Sequence, residues 1–172
     1  MVPDPDWWRA DPEHRELLAF DGGTDDQGLP YDAAAADRRA VLEALLGEDG
    51  PPARHDPGLP LYLLEQEALW HRHSWGFGHG IGMAALLVAE HRRARDVWPL
   101  WDAKTTSFDT MLGLPRELLF AAGVGETVAF VGAGGDPRRA DFLGFFEDHG
   151  LPDDDEVART LAGLRRHYTS GG

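Results

Sequence analysis

The chain has 172 residues, 42% of them apolar, with a formal charge of −14 and no cysteine. That length and apolar content suffice for one sizeable core, and the missing thiols exclude a disulfide framework, a thiolate zinc site and a cysteine nucleophile. Residues 1–60 hold 5 basic and 14 acidic side chains, residues 61–112 hold 5 and 6, and the rest hold 6 and 10, so the N-terminal third carries most of the imbalance. Such a field repels phosphate backbones and anionic lipid; it speaks against nucleic-acid and membrane partners and for a basic protein. The opening Met1-Val2-Pro3-Asp4-Pro5-Asp6 is acidic where a secretion signal is basic and then apolar. No apolar run nears the roughly 20 residues that span a bilayer, so the expected location is the cytoplasm.

Asp11-Pro12-Glu13 is a cap, a first-turn proline and an acidic first turn, which predicts a helix over 12–20. The spaced aspartates of 21–28 invite comparison with a calcium loop. The match fails, because the sixth position from Asp21 is Asp26 instead of glycine and the twelfth is Asp32 instead of glutamate. Residues 32–46 place Ala36, Ala40, Val41, Ala44 and Leu45 on one face, an amphipathic helix that Gly47 closes. Residues 47–60 read as loop by their glycine, proline and aspartate content.

After Pro60, the spacing of Leu61, Leu64, Ala68 and Leu69 predicts a helix through about Trp70, and Ile81, Ala84, Ala85, Val88 and Ala89 predict another. Between them lies the glycine and aromatic turn 74–80. A further helix over 94–104 contains Pro99, which should bend or end part of it. Residues 105–113 have no clear pattern. Pro115 opens a helix that Gly123 ends, and 127–131 is short enough to be helix or strand. Asp136-Pro137 is again cap and first-turn proline, with Phe142, Phe145 and Phe146 downstream and Gly150 as the stop. The last helix has Asp153, Asp154, Asp155 and Glu156 at its start and Arg165, Arg166 and His167 near its end, matching the helix dipole.

Gly-Leu-Pro occurs four times, at residues 28, 58, 113 and 150, each ahead of a predicted helix. Glycine suits a helix stop and proline a first turn. The spacings of 30, 55 and 37 residues are irregular, and no tetratricopeptide or ankyrin signature accompanies them. The expected fold is all-α, with seven to nine helices as antiparallel hairpins in a compact orthogonal bundle or a short solenoid. One domain is expected over 1–172, comprising an acidic segment 1–60 and a helical body 61–172.

Val128-Ala129-Phe130-Val131-Gly132-Ala133-Gly134-Gly135 resembles the strand and glycine turn of a dinucleotide-binding fold, but Pro137 stands where the third small residue belongs. Gly80-Ile81-Gly82-Met83-Ala84-Ala85 fits the same string with no strand before it. His71, His73 and His79 cluster within nine residues, with His55 and His91 outside them. These three would form a metal site able to activate water, with Glu67, Asp102 or Asp109 completing the shell. On one helix, however, His71 and His73 point about 200° apart, and histidines near a helix end also serve as caps.

The glycines at 76, 78, 80 and 82 alternate with Trp75, Phe77 and His79. Backbone that admits close approach, beside aromatic walls, suits a ligand pocket, here lined by Trp75, Phe77, His73, His79, Trp101, Lys104 and Asp109. Trp98 and Trp101, three apart on a helix, also fit a plain core role. Ser74 and Ser107 lie in no nucleophile elbow.

The leading expectation is a non-enzymatic interaction protein, an adaptor or inhibitor of a basic protein partner, with Asp25, Asp26 and Asp37 on the binding face. The alternative is a small-molecule-binding protein or metal-dependent enzyme using the aromatic and histidine pocket of 70–110.

Overall fold

The computed structural model describes residues 4–48 and 56–170. Ten α-helices are present among them: α1 Pro5–Ala10, α2 Pro12–Arg15, α3 Ala35–Leu46, α4 Gly58–His71, α5 His79–Glu90, α6 Val97–Lys104, α7 Phe108–Gly113, α8 Val124–Ala133, α9 Arg139–His149 and α10 Asp154–Thr169. Short 3₁₀ turns occur at Glu16–Leu18, Ala94–Asp96 and Arg116–Phe120. Among the described residues there is no sheet, only an isolated antiparallel bridge between Thr24 and Pro30. The segment 127–131 is helical, inside α8, so neither glycine string follows a strand. No described helix is long and apolar enough to cross a membrane.

The ten helices exceed the expected seven to nine through short ones. Asp4 caps α1 and Asp11 caps α2, each with proline in the first turn, so the chain begins with two brief helices instead of a single one over 12–20. Ser107 accepts from the Thr110 N–H at 3.2 Å while the Ser107 N–H donates to Thr110 Oγ1 at 3.0 Å, a capping box that starts α7 in the patternless stretch. The helix expected over 94–104 becomes α-helical only at Val97, which leaves Pro99 in the first turn, where a missing N–H breaks no helical bond.

The Gly-Leu-Pro punctuation works differently from expectation. Gly150 stops α9 with φ of 72°, a left-handed conformation that glycine adopts without strain, yet Pro152 lies before the Asp153 cap of α10. Gly58 begins α4, which leaves Pro60 at its third residue. Prolines at the first helical position are instead Pro5 and Pro12.

Helix α5 is the centre of the packing. All nine residues 81–89 are buried, and a helix without a wet face must be enclosed by its neighbours. It packs on α3, α4, α6, α10 and the Arg116–Phe120 turn. Helix α10 also reaches back to α3, so the chain closes on itself, whereas a solenoid unit touches only its neighbours in sequence. The buried apolar side chains form one cluster from Trp8 to Leu161. Its aromatic part is built around Phe142, whose ring lies 5.3 Å from Trp101, 6.0 Å from Trp98, 6.0 Å from Phe120 and 4.9 Å from Phe146.

Helix ends are capped across elements. Arg116 donates to the carbonyls of His149 and Gly150 at the end of α9, and Asp154 accepts from the Val124 N–H at the start of α8. These bonds satisfy backbone groups that a helix end otherwise leaves unpaired.

Candidate functional site

The seven residues expected to line one pocket occupy five places. Trp75, Phe77 and Asp109 belong together. The Gly76 N–H donates to Asp109 Oδ2 at 2.8 Å, and the Gly78 N–H donates to His71 Nε2 at 3.0 Å, so the turn between α4 and α5 is fastened at both ends. Gly76 takes a φ of 86°, and Trp75 beside it stands 97% exposed. The Phe77 ring lies against the backbone of Gly113, with a second contact near Gly82, and leaves no room for a Cβ at 113. Lys104 is elsewhere, buried, donating from Nζ to the carbonyls of Met111 at 2.7 Å and Leu114 at 2.6 Å. Burial pushes its ammonium below the usual lysine value, against the opposing pull of Glu117. Trp101 is a core residue packed edge-on to Phe142 and Phe145. His73 is exposed, with its ring 5.5 Å from that of Phe20.

His79 opens α5 on another side. Its ring lies 5.9 Å from His167 and 6.2 Å from Tyr168, in a cleft of about 330 Å³ that Arg39, Glu43 and Met83 also line. Burial pushes the Tyr168 phenol above its ordinary value. His167 and Tyr168 are 88 and 89 residues from His79 in sequence, so no local spacing pointed to them.

The expected metal site at His71, His73 and His79 is not formed. Among the described residues no three metal-ligating side chains come together. His71 is buried with both ring nitrogens engaged: Nε2 accepts from Gly78, and Nδ1 lies 2.7 Å from the Glu67 carbonyl, which fixes the tautomer with the proton on Nδ1. The carboxylates expected to complete the shell are committed as well, Glu67 to Arg38, Asp102 to Arg138 and Asp109 to Gly76. His55 lies outside the described residues.

The acidic residues occupy an ordered surface. Residues 21–31 form an exposed loop closed by the Thr24–Pro30 bridge and by the Tyr31 N–H donating to the Gly23 carbonyl at 2.9 Å. Asp25 Oδ1 accepts from the N–H groups of Gln27 and Leu29, so this carboxylate shapes the loop. Asp26 and, on α3, Asp37 are exposed, and Leu29 and Tyr31 are 57% and 54% exposed beside them in the chain.

The base of this loop is held by Arg38, which is 0% exposed. Its Nε donates to Glu67 at 2.9 Å, its Nη1 to the Leu18 carbonyl at 3.1 Å and to Asp32 at 3.2 Å, and its Nη2 to the other Asp32 oxygen. A buried guanidinium is tolerated only when its donors are matched in this way. Gly80 has no room for a Cβ because the Glu67 carboxylate presses against it. This triad was not legible in the sequence, and neither were Phe108 and Leu112, exposed on α7 next to the turn.

Gly113→Ala is expected to expel Phe77, since a Cβ there meets ring carbons and not the far end of a flexible chain. The expected loss is about 1–3 kcal/mol in thermal unfolding, with faster amide exchange at Gly76 and Gly78. Unchanged exchange at those amides would show that the turn does not depend on the Phe77 contact.

Comparison with protein-family models, with curated proteins and with solved structures finds no match to this chain.

Proposed function

We propose that this chain is a non-enzymatic interaction protein that binds a basic protein partner through the acidic loop 21–31 and the neighbouring Asp37. The observation that carries this reading is the held loop: exposed carboxylates with Leu29 and Tyr31 among them, on backbone clamped at its base by a fully buried Arg38. A clamped loop loses little conformational freedom on binding, and its carboxylates steer a cationic partner during encounter. An enzyme or metal reading has weaker support, because the residues it needs are dispersed and the three histidines do not converge.

The test is capture of interacting proteins on the full chain from its own cells, quantified by mass spectrometry at low and moderate salt, with Asp26→Lys/Asp37→Lys beside the native sequence. Asp25 is left intact because its carboxylate holds the loop. The expected result is a protein of net positive charge, released by salt, whose association rate with the variant falls about tenfold. Capture that is indifferent both to salt and to the two reversals overturns the reading.

A further inference from the structure

The chain contains a single lysine, Lys104, and the fold closes over it. Its side chain is 4% exposed, and Nζ donates to the Met111 carbonyl at 2.7 Å and to the Leu114 carbonyl at 2.6 Å, with the centre of the Phe145 ring 5.9 Å away. Both carbonyls belong to the end of α7, so this helix and the Lys104 amine secure each other.

Helix α7 is held mainly by polar bonds. Thr110 is its only buried residue, Phe108 and Leu112 are exposed, and its principal packing partner is α6. Besides the Lys104 bonds it is fastened by the capping box of Ser107 and Thr110, by the Thr110 hydroxyl donating to the Lys104 carbonyl at 3.1 Å, by Asp109 accepting from Gly76 and by the Phe77 ring against Gly113. An element with so little buried apolar surface opens at a lower free energy than the core. Lifting it also returns the ammonium to water and recovers the hydration that burial removes, the same loss that lowers its hold on a proton.

An acyl group on Nζ does not fit the closed state. The amide nitrogen keeps one N–H where two carbonyls need a donor, so either Met111 or Leu114 loses its bond. The acyl carbons also have to occupy space that packed protein atoms already fill.

We infer that Lys104 is a guarded acylation site: α7 lifts before the amine can react with a thioester or a comparable activated acyl donor, and the acylated chain stays open at α7. In the reaction the deprotonated amine attacks the acyl carbon, the C–N bond forms and the C–S bond breaks, and the thiolate leaves with the bonding pair and takes up the proton that the nitrogen sheds. The lasting result is the release of Asp109 from Gly76 and of Gly113 from Phe77, so the state of one side chain sets the freedom of the turn between α4 and α5. The inference is independent of the basic-partner reading.

The experiment treats the full folded chain with N-acetoxysuccinimide as acyl donor and follows acetylation of Lys104 by peptide mass spectrometry, at urea concentrations below the unfolding transition. The native sequence is compared with Ser107→Ala, which weakens the cap of α7, and with Asp153→Ala, which weakens the cap of α10. The expected result is acetylation at least about a hundredfold slower than in the urea-unfolded chain, with the shallow urea dependence of a local opening. It is expected to be about fivefold faster in Ser107→Ala and unchanged in Asp153→Ala. The isolated acetylated chain is then expected to show faster amide exchange than the unmodified chain at 108–113 and at Gly76, with α5 unchanged. The inference is overturned if Lys104 in the folded chain reacts at the unfolded rate, if its acetylation rises with urea as steeply as global unfolding or is accelerated equally by both variants, or if the acetylated chain exchanges like the unmodified one.

Discussion

Replacing Arg38 with methionine is expected to lower stability by about 3–5 kcal/mol, which in a chain of this size is roughly 6–20 °C in melting temperature. The side chain is fully buried, so no water replaces the bonds it makes. Its loss strands the carboxylates of Asp32 and Glu67 in the interior and removes a donor from the Leu18 carbonyl. The penalty comes mainly from those uncompensated acids, which gives the prediction a second part. Glu67→Met added to Arg38→Met is expected to lose clearly less than the two single changes together, because it removes one of the stranded charges. Strict additivity in this cycle would mean that the triad does not act as a unit.

The second large effect is expected at Phe142. Its ring is fully buried among Trp98, Trp101, Phe120 and Phe146, so alanine there leaves a cavity walled by rigid aromatic side chains with little freedom to collapse. A loss of about 3–5 kcal/mol is expected on chemical denaturation, and Phe142→Leu is expected to lose less because it refills part of the volume. Arg38 and Phe142 lie far apart in the sequence, but Phe142 belongs to the continuous apolar cluster and Arg38 bonds the carbonyl of Leu18, another of its members. Both variants should therefore shift the same cooperative transition. Two separable transitions, each moved by one variant alone, would divide the chain into independently folding parts.

What could be read from the sequence is what is local. Helix α10 was legible because its capping residues, acidic first turn and basic end are adjacent in the chain, and Asp153 and Glu156 form the reciprocal cap that their spacing implies. Helix α1 uses the same signal as α2, with Asp4-Pro5-Asp6 repeating the logic of Asp11-Pro12-Glu13, yet at six residues it has no apolar period to mark it. Helix α7 was obscured because its capping box has Thr110 where the familiar pattern has glutamate or glutamine. For α5 the helical spacing was legible but its enclosure on all sides was not, since burial of Gly82, Leu86 and Leu87 depends on helices distant in the chain.

The candidate site was legible only where chemistry follows from adjacency. Trp75 and Phe77 stood out as aromatics in a glycine turn, and the partner that fastens that turn, Asp109, was among the expected residues. Lys104 was notable as the lone lysine, but its task is to hold the end of α7, a role that composition cannot reveal. The histidines misled because proximity in sequence is not convergence in space: His71 turns inward to a backbone contact, His73 stays at the surface and His79 faces the end of α10.

The clamp around Arg38 also imposes an order on biosynthesis. As the chain leaves the ribosome, Asp32 and Arg38 emerge together, but Glu67 follows Arg38 by 29 residues. Until α4 is out, the guanidinium lacks one of its two acids and the helix that encloses it, and the acidic loop has no fixed base. The nascent N-terminal third is therefore a charged, unclamped tether, and it takes up its final form only when the middle of the protein has been made.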